Sequence, residues 1–214
     1  MIKTLITPMN FTLVRDSIVQ HIVNVRESQK ELAKESGAKD LWINQIINFT
    51  VFPKRFRFPD VEDMPCVFVY FNEMTFPEDE QDVYNNEAAG TLVVEYYAVG
   101  LNEDSPDQTA DSNAEDRLNY LTAQLYKILC SEATNIYTAT DRLVKGFVIK
   151  SWKRVLSPEN DNTAGTVLGA KFEFEVQFEE PTHYTNTTEI KEFYTNLEIR
   201  DENIDPFIKN IIGE

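Results

Sequence analysis

From Leu168 to Glu179 the chain reads LGAKFEFEVQFE, and this stretch constrains the fold more than any other. Leu168, Ala170, Phe172, Phe174, Val176 and Phe178 fall on one side of an extended strand. Gly169, Lys171, Glu173, Glu175, Gln177 and Glu179 fall on the other. A period of two over this length fits no helix; it calls for a sheet with one face in a core and one facing water or a polar partner. Antiparallel sheets allow that arrangement. Directly ahead, residues 157–166 (SPENDNTAGT) are polar and turn-forming. They make the segments on either side a long hairpin with an extended tip.

The rest of the chain supplies partners for this strand. Asn10 and Thr12 offer caps for a helix running to about residue 36, with Val14, Ile18, Ile22 and Val25 at helical spacing and a natural stop at Gly37. The apolar run LWINQIINFTVF fits a strand or an edge helix, and PKRFRFP after it is a proline-bracketed basic-aromatic loop. Pro65 opens a short buried strand, MPCVFVYFNE, and TLVVEYYAVG is a second. A helix is predicted over about 110–131, with Leu118, Leu121, Leu125, Ile128 and Leu129 as its apolar stripe and Asp111, Glu115 and Asp116 suited to its N-terminal end. GFVIKSWKRVL is a third strand, with Lys150, Lys153 and Arg154 at outward positions. Beyond Pro181 a polar tail holds a candidate strand, EFYTNLEIRD, and an apolar piece, DPFIKNIIGE. The order predicts an α+β domain over 1–181, a mainly antiparallel sheet flanked by two helices with a long β-hairpin, followed by a C-terminal extension over 182–214.

Charge is distributed unevenly. The net charge is −16, yet no Lys or Arg occurs between Arg57 and Arg117 while that interval holds sixteen Asp and Glu. Elsewhere twenty basic residues balance twenty acidic ones. Such an interval repels phosphate backbones. It reads either as a solvated face or as a surface that meets DNA without holding it. With 42% hydrophobic residues the chain can bury a core, and no run reaches the ~18 apolar residues of a membrane span. The start, with one Lys and scattered apolar residues, does not resemble a secretory signal. Cys66 and Cys130 sit in apolar segments and read as buried, reduced thiols of a protein made in the cytoplasm.

Catalytic signatures are missing from the sequence. It has no phosphate-binding glycine loop and no GxSxG elbow. His21 and His183 are isolated, and with two scattered cysteines they have no zinc spacing. NEDSPDQTADSNAED lacks the glycine and closing glutamate of a calcium loop. Nothing singles out two carboxylates with divergent environments. The expectation is a protein that is not an enzyme and uses no metal or cofactor.

An N-terminal helix, a proline-initiated strand (MPCVFVYFNE), a second strand (AAGTLVVEYYAVG), an acidic loop with an amphipathic helix (ADSNAEDRLNYLTAQLYKILC) and a closing hairpin occur in that order over 10–181. In this order and texture the chain resembles the tail terminator, or tail completion, family of long-tailed bacteriophages. Its 35–60 region is longer and more aromatic than that pattern, and 182–214 is an addition.

The resemblance implies a virion structural protein that forms a hexameric ring on the head-proximal end of the tail tube. It would stop tube polymerisation and present the docking surface for the head connector or neck, and for the last sheath ring in a contractile tail. The implied partners are other copies of the chain, the tube protein, the connector or neck protein and a sheath, with DNA passing through unbound and no membrane involved. Assembly would occur in the host bacterial cytoplasm.

Three surfaces follow as expectations. Glu159, Asn160, Asp161, Asn162 and Thr163 form either an assembly arm or an idle hairpin tip. Glu78, Asp79, Glu80, Asp82, Glu103, Asp104 and Asp107 line the channel or form an acidic outer surface. Lys54, Arg55 and Arg57 form a basic interface patch. The alternatives are another head–tail joining or neck protein, or a small acidic cytoplasmic ligand-binding domain.

Overall fold

In the computed structural model, which describes residues 9–35, 49–55, 63–76, 85–101, 109–130, 136–140, 143–155 and 165–181, these described residues form three helices and five strands. In order these are α1 (Asn10–Glu35), β1 (Thr50–Phe52), β2 (Cys66–Thr75), β3 (Asn85–Leu101), α2 (Ala110–Cys130), α3 (Ile136–Ala139), β4 (Val144–Val155) and β5 (Gly165–Pro181). The strands make one sheet in the order β1-β2-β3-β5-β4. Only β1 and β2 run parallel; every other pairing is antiparallel, so the domain is α+β as its pattern predicts. Of the ambiguous run LWINQIINFTVF, Thr50–Phe52 is strand, and 41–48 lies outside the described residues. The 182–214 extension lies outside them as well.

β5 is not the last strand of the sheet in space. All 17 residues of β3 have a partner on β5, from Asn85↔Pro181 to Leu101↔Gly165, without a register shift. β4 pairs on the other side of β5, with bulges between Val144 and Gly146 and between Ile149 and Ser151. β3 and β4 therefore run parallel to each other with β5 between them. Parallel strands need a crossover connection, and α2 lies in the chain between the two.

The predicted apolar face of β5 is buried, Phe172, Phe174, Val176 and Phe178 among it. It shares one core with Leu92, Val94, Tyr96 and Ala98 of β3 and with Val67 and Val69 of β2. Both long helices cover this same face, through Val14, Ile18 and Ile22 of α1 and Leu118, Leu121 and Leu125 of α2. Phe147 of β4 stacks on Phe174 with ring centroids 4.5 Å apart. Ile128 and Leu129 complete the α2 stripe. Cys130, the last residue of that helix, lies off the stripe and is exposed, against the expectation of a buried thiol; Cys66 is buried as expected.

The start of α1 differs from the sequence expectation. Asn10 and Thr12 do not cap it with their own side chains. Instead the Asn10 and Phe11 amides donate to the Glu180 carboxylate, at 2.7 and 3.1 Å, and the Asn10 side-chain amide donates to the Glu179 carbonyl at 2.6 Å. The first amides of a helix lack intrahelical partners, and an anion there also meets the positive end of the helix dipole. Glu180 is buried, so this tertiary cap satisfies a carboxylate and a helix end at once. The cap of α2 is local: the Ser112 amide donates to Thr109 Oγ1 at 3.3 Å.

Gly100, near the end of β3, sits against the first turn of α2. A methyl group there would overlap the Ala110 carbonyl oxygen and the Ala114 amide nitrogen, and would stand 2.9 Å from Ala114 Cα. Backbone atoms of a packed helix cannot move aside as a side chain can. Gly100→Ala is expected to cost about 3 kcal/mol or more in denaturant unfolding, by displacing α2. Gly146→Ala, whose methyl meets only the Gln177 side chain, is expected to cost under about 1 kcal/mol.

Candidate functional site

The face of the sheet away from the helices carries the charges. Lys145 bridges Glu87 at 3.0 Å and Glu179 at 2.6 Å, Lys150 meets Glu175 at 2.7 Å, and Glu173 holds both Lys153 at 2.8 Å and Lys171 at 2.7 Å. The Ser151 hydroxyl donates to Glu173 at 2.7 Å. Antiparallel register brings such side chains within reach of one another. Exposed pairs contribute only about 0.2–1 kcal/mol each, so this ladder fixes register and neutralises charge more than it stabilises. The polar face of β5 was expected to be open to a neighbour or to solvent; its charges are answered within the sheet. Lys153, then Lys171 and Ser151, hold the Glu173 carboxyl at about 2.

Toward the other end of the same face lies a second apolar cluster, formed by Cys66, Phe68, Tyr97, Val99 and Val167. Glu95 stands at its border, 2% exposed, between Lys171 of β5 and Phe68 of β2 in register. The Tyr70 hydroxyl donates to it at 2.6 Å, the Tyr97 hydroxyl also donates to it, and Arg55 Nε lies 3.2 Å away. Tyr97 can lie across β5 because position 169 is glycine, where a methyl would come within 2.6 Å of the ring. A carboxylate taken from water needs such partners, because burying it unpaired is costly.

Burial and the bond to Glu95 push both phenols upward, which keeps them protonated donors at neutral pH. Burial, then Asp63 and Glu95, pushes the Cys66 thiol up to about 12, so it is a neutral thiol and a poor nucleophile. The group is a closed set of donors around one acceptor, and its chemistry is structural. Arg55 of the expected basic patch is thereby engaged inside its own chain; Lys54 is exposed and Arg57 lies outside the described residues.

The flank where α2 meets β4 is more open. The Thr122 hydroxyl donates to the Leu118 carbonyl at 2.7 Å. Its one proton being used there, Tyr96 donates to Thr122 at 2.8 Å and accepts from Trp152 Nε1 at 2.8 Å. Arg154 makes a two-pronged ion pair with Glu115 of α2, and its guanidinium carbon lies 5.6 Å from the Trp152 ring centroid. Tyr126 of α2 packs near Phe172, centroids 6.2 Å apart. Yet Trp152 remains 43% exposed, Tyr126 49%, Ile149 38% and Val148 54%. Among the described residues no strand pairs with the outer edge of β4.

The other predicted positions fall elsewhere. Glu159, Asn160, Asp161, Asn162 and Thr163, and the acids Glu78, Asp79, Glu80, Asp82, Glu103, Asp104 and Asp107, lie outside the described residues. His21 is lodged between α1 and α2, hydrogen-bonded to the Ile128 backbone, and burial lowers its pKa. Among the described residues no cluster of His, Cys, Asp and Glu could hold a metal ion, and no helix is long and apolar enough to cross a membrane. A cleft of about 490 Å³ is lined by Val23, Arg26, Phe49, Asp63 and Met64 among others. Arg26 in it already donates to the Phe49 carbonyl and pairs with Glu27. No periodicity or motif marks the Glu95 group or the Trp152 flank, because each depends on strand register.

Two measurements check these electrostatics. A carboxyl held below its ordinary value contributes stability that is fully present above about pH 4.5 and is lost as pH falls through about 2. Unfolding free energy should fall over that window, and Glu173→Gln should remove part of the slope while leaving stability near pH 7 lower than wild type. A thiol reagent at about pH 8 should modify Cys130 in the folded protein, and Cys66 only after denaturation. No protein-family model matches the chain, and no curated protein matches it.

Proposed function

We propose that the chain is a tail terminator of a long-tailed bacteriophage, a structural protein that closes the head-proximal end of the tail tube as a homohexameric ring. The observation that carries this reading is the element order over 10–181. The helix, the proline-led strand, the long strand, the amphipathic helix and the two closing strands follow in that order, and the strands form one sheet with both long helices on one face. That order of elements is the one on which the resemblance rests. The chemistry agrees with it: the buried carboxylate–phenol group around Glu95 takes its donors from its own chain, which suits a scaffold.

On this reading the ring sits at the head–tail interface of the virion, and the connector or neck, tube and sheath proteins are its partners. The acid-rich interval around Glu78–Asp82 and Glu103–Asp107 lets DNA pass without holding it. The hairpin tip at 159–163 is the arm that reaches a neighbour or the tube. A ligand-binding domain is the weaker reading, because among the described residues the 490 Å³ cleft offers Arg26 and Asp63 as its charged lining groups and Arg26 is engaged. A binding site needs several convergent polar groups.

Light scattering on the purified chain, alone and with tail tubes, tests the proposal. A sixfold assembly that caps tubes and halts their growth is the expected result; a chain that neither assembles nor binds tubes would overturn it. Removal of residues 159–164 should abolish ring formation or length control while leaving the melting temperature of the subunit nearly unchanged.

A further inference from the structure

β1, at one edge of the sheet, has three ladder positions against β2, from Thr50↔Cys66 to Phe52↔Phe68, where β3 and β5 share seventeen. Among the described residues no strand lies on its outer side. Two aromatic anchors hold the segment to opposite faces of the sheet. Phe49 is buried in the core on the helix side, and Phe52 stacks on Phe68 of the second cluster with centroids 5.4 Å apart. Two arginines add polar ties. Arg26 of α1 donates to the Phe49 carbonyl and its guanidinium carbon lies 5.1 Å from the Phe49 ring centroid, and Arg55 reaches Glu95. The 490 Å³ cleft lies where α1, this segment and the start of β2 meet, so the segment is packed less closely than the interior of the sheet.

We propose that residues 49–55 are a releasable strap: they come away from the edge of β2 as a unit while the other four strands and both long helices stay folded, and Arg26 and Arg55 set how often this happens. A segment opens at a lower free energy than the whole domain where its apolar contacts are few and its polar ties are open to water. The ties of this segment meet that condition. The Arg55 side chain is 55% exposed, so water takes the place of Glu95 on release. Glu95 keeps the Tyr70 and Tyr97 hydroxyls as donors, so release does not leave a buried carboxylate unsatisfied. Arg26 keeps its ion pair with Glu27. Closed, the strap covers the backbone of β2 from Cys66 to Phe68; released, it leaves that backbone as an open edge, the kind of edge that pairs with further chains. The strap is thus a guard on the sheet edge, and it stands independently of the ring reading.

Hydrogen exchange of the full chain at pH 7, read by mass spectrometry over denaturant concentrations below the unfolding transition, tests the strap. Peptides covering 49–55 should exchange through an opening with little denaturant dependence and with protection about 10-fold or more below that of β3 and β5. Arg55→Gln and Arg26→Met should each lower the protection of 49–55 by on the order of 10-fold, the effect of losing one hydrogen bond from a charged donor, and leave β3 and β5 as in wild type.

A loss of protection confined to 49–55 in either variant supports the strap. Wild-type protection and denaturant dependence of 49–55 equal to those of β3 overturn it, because the segment then opens only with the whole domain. Exchange of 49–55 at the unprotected rate overturns it as well, because the closed state is then not held. A loss spread evenly over 49–55, β3 and β5 in both variants overturns separate release; where one variant weakens the whole domain, the other decides. Protection of 49–55 unchanged in both variants overturns the control by the arginines.

Discussion

The unbroken pairing of β3 with β5 is the constraint on which the other parts depend. Its register sets Phe172, Phe174 and Val176 beside Val94, Leu92 and Gly90, so that both helices find a continuous apolar surface. The same register sets Lys171 beside Glu95 and Gly169 beside Tyr97. A slip of one residue would turn every phenylalanine of β5 to the charged face and Glu173, Glu175 and Glu179 into the core. Each buried phenylalanine contributes about 1.5–3 kcal/mol, so exposing the three of them forfeits an amount comparable to the net stability of an ordinary domain, before the cost of burying glutamates is added.

Two buried carboxylates among the described residues of this ladder are held in different ways. Glu180 turns toward the helix side and receives the first amides of α1. Glu95 turns to the opposite face and collects two phenols and a guanidinium from three separate segments. Neither gains much over hydration. Each becomes costly if its donors are lost, because an unsatisfied buried charge is what the interior tolerates least. They act mainly to fix where α1 and the 49–55 segment dock.

The sequence was most legible where one local period decided the matter. β5 could be read because six large or apolar residues alternate with charges, and α2 because its leucines return every third or fourth residue. β3 reads as a strand too, but Val93, Tyr97 and Val99 are apolar on the face that β5 makes polar, so the second cluster shows only once β2 and β5 flank it. Glu180 resembled any other outward glutamate, since its partner lies 170 residues away in sequence. Lys150 and Lys153 read as solvated until the register placed Glu175 and Glu173 beside them. Arg55 was grouped with its sequence neighbours by charge, whereas its partner is fixed by tertiary position. The expected assembly residues were assigned to loops, where no periodicity constrains them.

The strand order carries a consequence for how the chain is made. β4 leaves the ribosome before β5, yet its only neighbour among the described strands is β5, which also supplies the missing neighbour of β3. Until residue 181 has emerged, β3 has one open side, β4 has nothing to pair with, and the first amides of α1 lack their carboxylate. The last strand to be synthesised is therefore the one that joins the rest, and its insertion couples the two ends of the domain in a single cooperative event. Long-range closure of this kind slows folding. During that wait a net charge of −16 makes copies of the nascent chain repel one another, which opposes premature aggregation.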